Sequence, residues 1–127
     1  MIRQQYHFRH SEQGLLSWDV RRLIELSEDL PVFDVEIEQI AELDEDHWYA
    51  HGDNTPTCRS IAEHALLMDQ ADLRYPIILD AQGRVMDGMH RVCRALRDGH
   101  RTIKAVQFKS GPTPDYIGVD PKDFPYD

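Results

Sequence analysis

The sequence contains few cysteines, no long apolar run and no excess of basic residues. Its two cysteines, Cys58 and Cys93, lie far apart and form no CxxC pair. This spacing predicts no disulfide framework and favours a reducing, cytoplasmic setting. The longest apolar runs span only a handful of residues, so the sequence predicts no membrane span. The first ten residues also lack the apolar centre of a signal peptide.

Acidic residues outnumber basic ones, 23 to 14, and the formal net charge is −9. Contact with a nucleic-acid backbone requires clustered Lys and Arg, so this balance disfavours direct DNA binding. A chain of 127 residues is long enough for one domain with a real core. We expect that domain to comprise an N-terminal arm and helix (1–30), a core (31–108) and a C-terminal tail (109–127).

The most informative segment lies within the predicted core, from Tyr75 to Phe108. Its pattern predicts a buried strand at Tyr75–Leu79, a tight turn at Ala81–Arg84 and a second strand beginning at Val85. A third strand is expected over Ile103–Phe108. One helix lies between the second and third strands, with Asp87 or Gly88 as its cap and Gly99 at its end. Apolar residues three or four apart define its predicted buried face: Met89, Val92, Cys93 and Leu96.

The junction between strand and helix reads Asp87-Gly88-Met89-His90-Arg91. A glycine at such a junction lets unpaired N–H groups approach an anion, and the helix dipole favours negative charge there. His90 and Arg91 place basic groups in the first turn, where cations oppose the dipole, and this placement makes sense if an anion occupies the loop. The alternative is that Asp87 merely caps the helix and that the basic pair is solvated.

The N-terminal third is expected to begin with a loose arm of about fifteen residues. Ser17 then caps a helix that Leu30-Pro31 ends. The inner face of this helix is predicted to contain Val20, Leu23, Ile24 and Ser27. Alternating acidic and apolar residues predict a half-buried strand over Asp34–Gln39.

A polar loop follows, and Thr57 caps a second helix that runs to about Asp69. Its core face is predicted to hold Ile61, Ala65 and Met68. After Lys109 the Pro- and Gly-rich chain is expected to wrap the surface as a tail without regular elements. That tail is predicted to be held by Tyr116, Ile117 and Val119.

The block DGMHR at Asp87–Arg91, with its flanking strand, turn and glycine-terminated helix, resembles the signature of the ParB/sulfiredoxin-like superfamily. That superfamily includes the amino-terminal domains of ParB proteins, sulfiredoxins and the free-serine kinases of archaea. The likeness extends from about Leu30 to Phe108: Pro31–Ile40 is similar to the family's first strand and short helix, and Ser60–Ala71 to its next helix. The resemblance implies an α+β fold in which helices wrap a small mixed β-sheet.

The resemblance also implies a site for a nucleoside di- or triphosphate on this loop. Gly88 would give room, and His90 and Arg91 would contact the phosphates. Sulfiredoxins carry a catalytic cysteine where Met89 stands. A thioether cannot attack as a thiolate does, so the sequence argues against sulfinic-acid reduction.

The loop of the serine kinases reads DGHHR, which differs from this loop only at position 89. Those enzymes also use an acidic residue between the first strand and the second helix as a base. Asp44, Glu45 and Asp46 are the candidates here. In the implied mechanism the first-turn amides hold phosphates, His90 and Arg91 neutralise developing charge, and one carboxylate orients or deprotonates a small-molecule acceptor. The rival interpretation is a non-catalytic regulatory module that binds nucleotide without turnover.

The segment His47–His51 has two histidines four residues apart, and the acidic neighbours Asp44, Glu45, Asp46 and Asp53 could add ligands for a metal ion. This spacing suits a metal only if the segment is helical, and Gly52, Asn54 and Pro56 instead predict a loop. We therefore predict no dedicated metal site on protein ligands. The loop from Asp44 to Thr57 would face the nucleotide loop in this fold. Its carboxylates are therefore expected to help hold Mg²⁺ against the phosphates, as is usual for that ion.

Overall fold

The computed structural model describes residues 5–49 and 55–125. Its strands are β1 (Tyr6–Ser11), β2 (Gly14–Asp19), β3 (Phe33–Glu36), β4 (Ile77–Leu79), β5 (Val85–Asp87), β6 (Thr102–Gln107) and β7 (Tyr116–Ile117). Its α-helices are α1 (Val20–Ser27), α2 (Cys58–Gln70) and α3 (Met89–Arg97). Short 3-10 turns cover Ile37–Gln39, Ala41–Asp44 and Pro121–Asp123. The described residues thus form a small single-domain α+β structure with two sheets, which confirms the predicted fold class at this level.

The central sheet has the strand order β3-β6-β4-β5. Strand β4 runs parallel to β6 and antiparallel to β5, so the sheet is mixed. The three residues of β4 are all buried because both faces of the strand are covered. Ile77 and Leu79 pack in a core cluster with Val92 and Ala95 of α3. Ile78 points to the opposite face, where its cluster includes Leu23 of α1.

The turn between β4 and β5 is held by the buried carboxylate of Asp80. Asp80 accepts hydrogen bonds from the backbone N–H groups of Gln82 and Arg84, both at 2.9 Å. Gly83 has a φ of 82°, as the predicted turn requires. Arg9 of β1 donates a further hydrogen bond to Asp80 at 2.6 Å. The turn therefore also joins the N-terminal strand to the central sheet.

The prediction of a loose N-terminal arm is wrong. Strands β1 and β2 form an antiparallel hairpin, and β7 from the tail adds to β2, so the second sheet has the order β1-β2-β7. Ser17 lies buried within β2 and does not cap a helix. Asp19 caps α1 instead, since its carboxylate accepts the N–H of Arg21 at 2.9 Å. The tail was expected to lack regular elements because β7 pairs with residues of β2 about a hundred positions earlier in the chain, a contact that no local pattern indicates.

Several predicted boundaries and faces also need correction. The strand expected at Asp34–Gln39 ends at Glu36 and continues as a 3-10 turn. Thr57 does cap α2, because its hydroxyl accepts the N–H of Ser60 at 3.1 Å. Ile61 and Ala65, which were expected in the core, are exposed.

The buried side of α3 comprises Met89, Val92 and Ala95, whereas Leu96 is 46% exposed. Ile24 of α1 is likewise exposed. In both helices the apolar spacing allowed two adjacent faces, and packing against the sheet selected one of them. Among the described helices, none has the length and apolar content needed to cross a membrane.

Candidate functional site

The predicted loop Asp87–Arg91 joins β5 to α3, as expected. Gly88 is the N-cap residue of α3, in a left-handed conformation with φ of 111°, and no side chain in the described part of the chain caps the helix. The first helical hydrogen bond runs from the N–H of Val92 to the carbonyl of Gly88 at 3.0 Å. The N–H groups of Met89, His90 and Arg91 therefore have no acceptor among the described residues. No acidic residue lies in this first turn.

Glycine is required at position 88 for two reasons. Its positive φ is a conformation that other residues rarely adopt. A Cβ at this position would also lie 2.7 Å from Cγ2 of Ile77 and 3.0 Å from Nη2 of Arg91. The close approach of the loop to β4 thus accounts for Gly88 without any ligand.

Arg91 makes its hydrogen bonds within the protein. Its Nη1 donates to the carbonyl oxygens of Tyr75 and Pro76, at 3.0 and 2.9 Å. Its Nη2 donates to the carboxylate of Asp87 at 2.8 Å. Asp87 is therefore the ion-pair partner of Arg91, four residues along, rather than a helix cap. The guanidinium connects the start of α3 to the segment that leads into β4.

His90 belongs to a stack of aromatic rings that the sequence did not predict. Its Nε2 lies 2.8 Å from Nδ1 of His64 on α2. The Trp48 ring stacks on both imidazoles, with centroid distances of 4.1 Å to His64 and 4.7 Å to His90. Burial, with smaller contributions from His64 and His47, lowers the pKa of His90 to about 4. Burial also lowers the pKa of His64. His90 is thus neutral near pH 7.

A cavity of about 230 Å³ opens at the start of α3, and we call it the α3 cavity. The loop Asp87–Arg91 forms one side of it, and residues of α2 and the segment after α2 form the other. Leu67, Ala71, Asp72 and Tyr75 line that second side. Asp72 is an ionised group, because hydrogen bonds from Arg74 lower its pKa to about 2.

A larger cavity of about 540 Å³ lies beside β1, and we call it the hairpin cavity. Two of the three predicted catalytic carboxylates, Glu45 and Asp46, line it. Arg84 binds both carboxylate oxygens of Glu45 and lowers its pKa. Asp46 accepts the N–H of Tyr49 at 3.1 Å. Asp44 ends a 3-10 turn and is not among the residues that line either cavity.

Two of the predicted catalytic carboxylates thus lie at a different cavity from the predicted phosphate-binding loop. Trp48 lines the hairpin cavity, and its ring stacks on His90, which lines the α3 cavity. The stacked rings therefore lie between the two spaces. Loop Asp87–Arg91 and the carboxylates Glu45 and Asp46 do not share a cavity.

Two features of the site could not be read from the sequence. Glu42 lies in the 3-10 turn Ala41–Asp44 and is almost fully buried. It accepts the N–H of Val85 at 2.6 Å and so attaches this turn to β5. His64 on α2 lies within hydrogen-bond distance of His90 on α3. No local spacing predicts contacts of this kind, since each joins residues 26 or more positions apart.

Metal ligands do not cluster in the described part of the chain, where no group of three or more His, Cys, Asp or Glu side chains could hold an ion. His51 and Asp53, two of the candidate ligands near His47, lie outside the described residues. Cys93 packs against the core cluster, and burial raises the pKa of its thiol.

Comparison with protein-family models, curated proteins and solved structures gives no significant match to this chain.

Proposed function

We propose that this protein binds a phosphate-bearing small molecule, of the nucleoside di- or triphosphate class, at the α3 cavity. The observation that carries the proposal is the uncapped start of α3, where three successive N–H groups lack an acceptor among the described residues. The positive end of a helix dipole favours an anion at this position. The resemblance of the DGMHR loop to nucleotide-binding loops supports the same class of ligand.

The side chains of the loop have mainly supporting roles in this proposal. Arg91 holds the loop in shape through Tyr75, Pro76 and Asp87, and its charge is largely balanced by Asp87. His90 is neutral near pH 7, so it contributes a polar ring and no formal charge. The backbone amides of residues 89–91 would supply most of the attraction for phosphate.

Phosphoryl transfer to a small-molecule acceptor remains a second, weaker proposal. It requires a carboxylate beside the bound phosphates to act as base or to hold Mg²⁺. The carboxylates at the α3 cavity are Asp72 and Asp87, and each is paired with an arginine. Glu45 and Asp46 line the other cavity. This arrangement supports a nucleotide-binding module more than a kinase.

Charge substitutions at Leu67 test the binding proposal without altering the loop itself. Leu67 lines the α3 cavity from α2, and its side chain is exposed. We expect Leu67→Glu to weaken binding of inorganic phosphate, ADP and ATP by roughly fivefold, since one charge near another in water contributes about 1 kcal/mol. Leu67→Lys should strengthen binding by a similar factor. Calorimetric titration at low salt measures both effects.

Leu67→Gln is the matched control, because it changes size and polarity without adding charge, and it should bind like the wild type. In NMR titrations with phosphate, the amides of Met89, His90 and Arg91 should shift most. Absence of phosphate binding at millimolar concentration, or an affinity that ignores the charge at position 67, would refute the proposal. Phosphate release from ATP with Mg²⁺, followed by ³¹P NMR, would favour the transferase alternative over the binding module.

A further inference from the structure

Helix α2 carries an apolar stripe on the side that faces away from α3. The residues of this stripe recur at three- and four-residue spacing, and all are exposed: Cys58, Ile61, Ala62, Ala65 and Leu66. Ile61 and Leu66 are each 55% exposed. Large apolar side chains grouped in this way on a surface helix are typical of an interaction site.

The opposite side of α2 makes specific contacts with other elements of the chain. His64 reaches His90 on α3, and the hydroxyl of Ser60 lies 3.0 Å from the hydroxyl of Tyr49. No residue of α2 is fully buried. The helix therefore makes specific polar contacts on its inner side, whereas the apolar residues of its outer side are exposed and make no such contact with the described residues.

We propose that the outer side of α2 pairs with the same helix of a second copy of this chain, antiparallel and about a twofold axis. In this arrangement Ala62 of one copy lies opposite Ala65 of the other, and Ile61 lies opposite Leu66. The two alanines allow the helices to approach closely at the centre. The larger side chains then fill the space on either side, so one surface complements itself.

The charges at the ends of α2 select the antiparallel orientation and the second copy as occupant. Arg59 stands in the first turn, is exposed and makes no ion pair among the described residues. Asp69 stands in the last turn, where Oδ1 is bound to Arg97 of its own chain at 2.6 Å. Antiparallel pairing brings each Arg59 towards Asp69 of the other copy and also opposes the two helix dipoles. Parallel pairing would instead place like charges together.

The expected dimer is weak. A helix of 13 residues is about 20 Å long. One helix pair of that length buries less than a standard interface of roughly 1,200–2,000 Å². Sedimentation equilibrium at protein concentrations from about ten micromolar to about one millimolar covers the range where such a dimer forms.

The first test replaces two large residues of the stripe. Ile61→Glu combined with Leu66→Glu should raise the dissociation constant of the dimer at least tenfold, since it places like charges opposite each other on both sides of the central alanines. Leu26→Glu on α1 is the matched control, because Leu26 is also apolar and exposed but lies outside the stripe. It should dimerise like the wild type. Circular dichroism confirms that both variants fold.

The second test addresses the orientation. Arg59→Asp alone should weaken the dimer severalfold, and adding Asp69→Arg should restore it, because the exchanged charges again face each other. In a Cys58→Ser background, Ala62→Cys with Ala65→Cys should give a disulfide-linked dimer on mild oxidation. A wild-type protein that stays monomeric at one millimolar, or a double glutamate variant that dimerises normally, would overturn the proposal.

Discussion

At the scale of single residues, His90 has the most unusual environment in the site. The imidazole stacks on Trp48, lies within hydrogen-bond distance of His64 and is held neutral by burial. In the unfolded chain its pKa would return to about 6.5. The unfolded state therefore binds more protons than the folded state between these two values, and acid favours unfolding.

The free energy of unfolding should consequently fall as the pH decreases from about 6.5 to about 4. Partial exposure of His90 reduces the expected loss to about 1 to 2 kcal/mol. Urea denaturation at several pH values measures this slope, and His90→Gln should flatten it. His64 also has a lowered pKa, so a smaller slope should persist in that variant. An unchanged slope in His90→Gln would show that His90 is not the titrating group.

At the scale of elements, Arg91 connects α3 to the segment before β4. Its guanidinium donates three hydrogen bonds, two of them to backbone carbonyl oxygens. From the sequence it was expected to contact phosphate. In the structure its hydrogen bonds hold the first turn of α3 against the segment that leads into β4.

Arg91→Ala should lower the free energy of unfolding by about 2 to 3 kcal/mol, because it removes charge-assisted hydrogen bonds and leaves two carbonyl groups and Asp87 without their donor. Arg101→Ala provides the matched control, since Arg101 forms an exposed ion pair with Glu36 at the surface. Its expected cost is below about 1 kcal/mol. Equal losses for the two variants, measured by urea denaturation, would contradict a special role for Arg91.

At the scale of the whole molecule, the two ends of the described chain pack against each other. Phe124 packs on Tyr6 of β1 and on Tyr116 of β7, with ring centroids 4.6 and 4.5 Å apart. The indole N–H of Trp18 donates to the carbonyl of Pro112 at 2.8 Å. The tail is therefore part of the fold, and β1 with its cavity depends on it.

Phe124→Ala should destabilise the protein by about 3 kcal/mol, the usual cost of truncating a buried phenylalanine. Ile117→Ala in β7 is the control, and it should cost less than about 1 kcal/mol because Ile117 is half exposed. If the hairpin unfolded separately from the central sheet, Phe124→Ala would produce a second transition. A single cooperative transition at lower urea is the expected result.

Local patterns in the sequence correctly predicted β4, the turn at Gly83, the cap at Thr57 and the glycine-initiated helix α3. Each depends on residues close together in the chain, where spacing, capping and positive φ act directly. The pairing of β2 with β7, the hydrogen bonds of Arg91 to Tyr75 and Pro76, and the stack of Trp48, His64 and His90 join distant segments. Only tertiary packing decides such contacts. For the same reason the sequence alone identified the loop of the candidate site, while the fold decided that Glu45 and Asp46 lie at a different cavity.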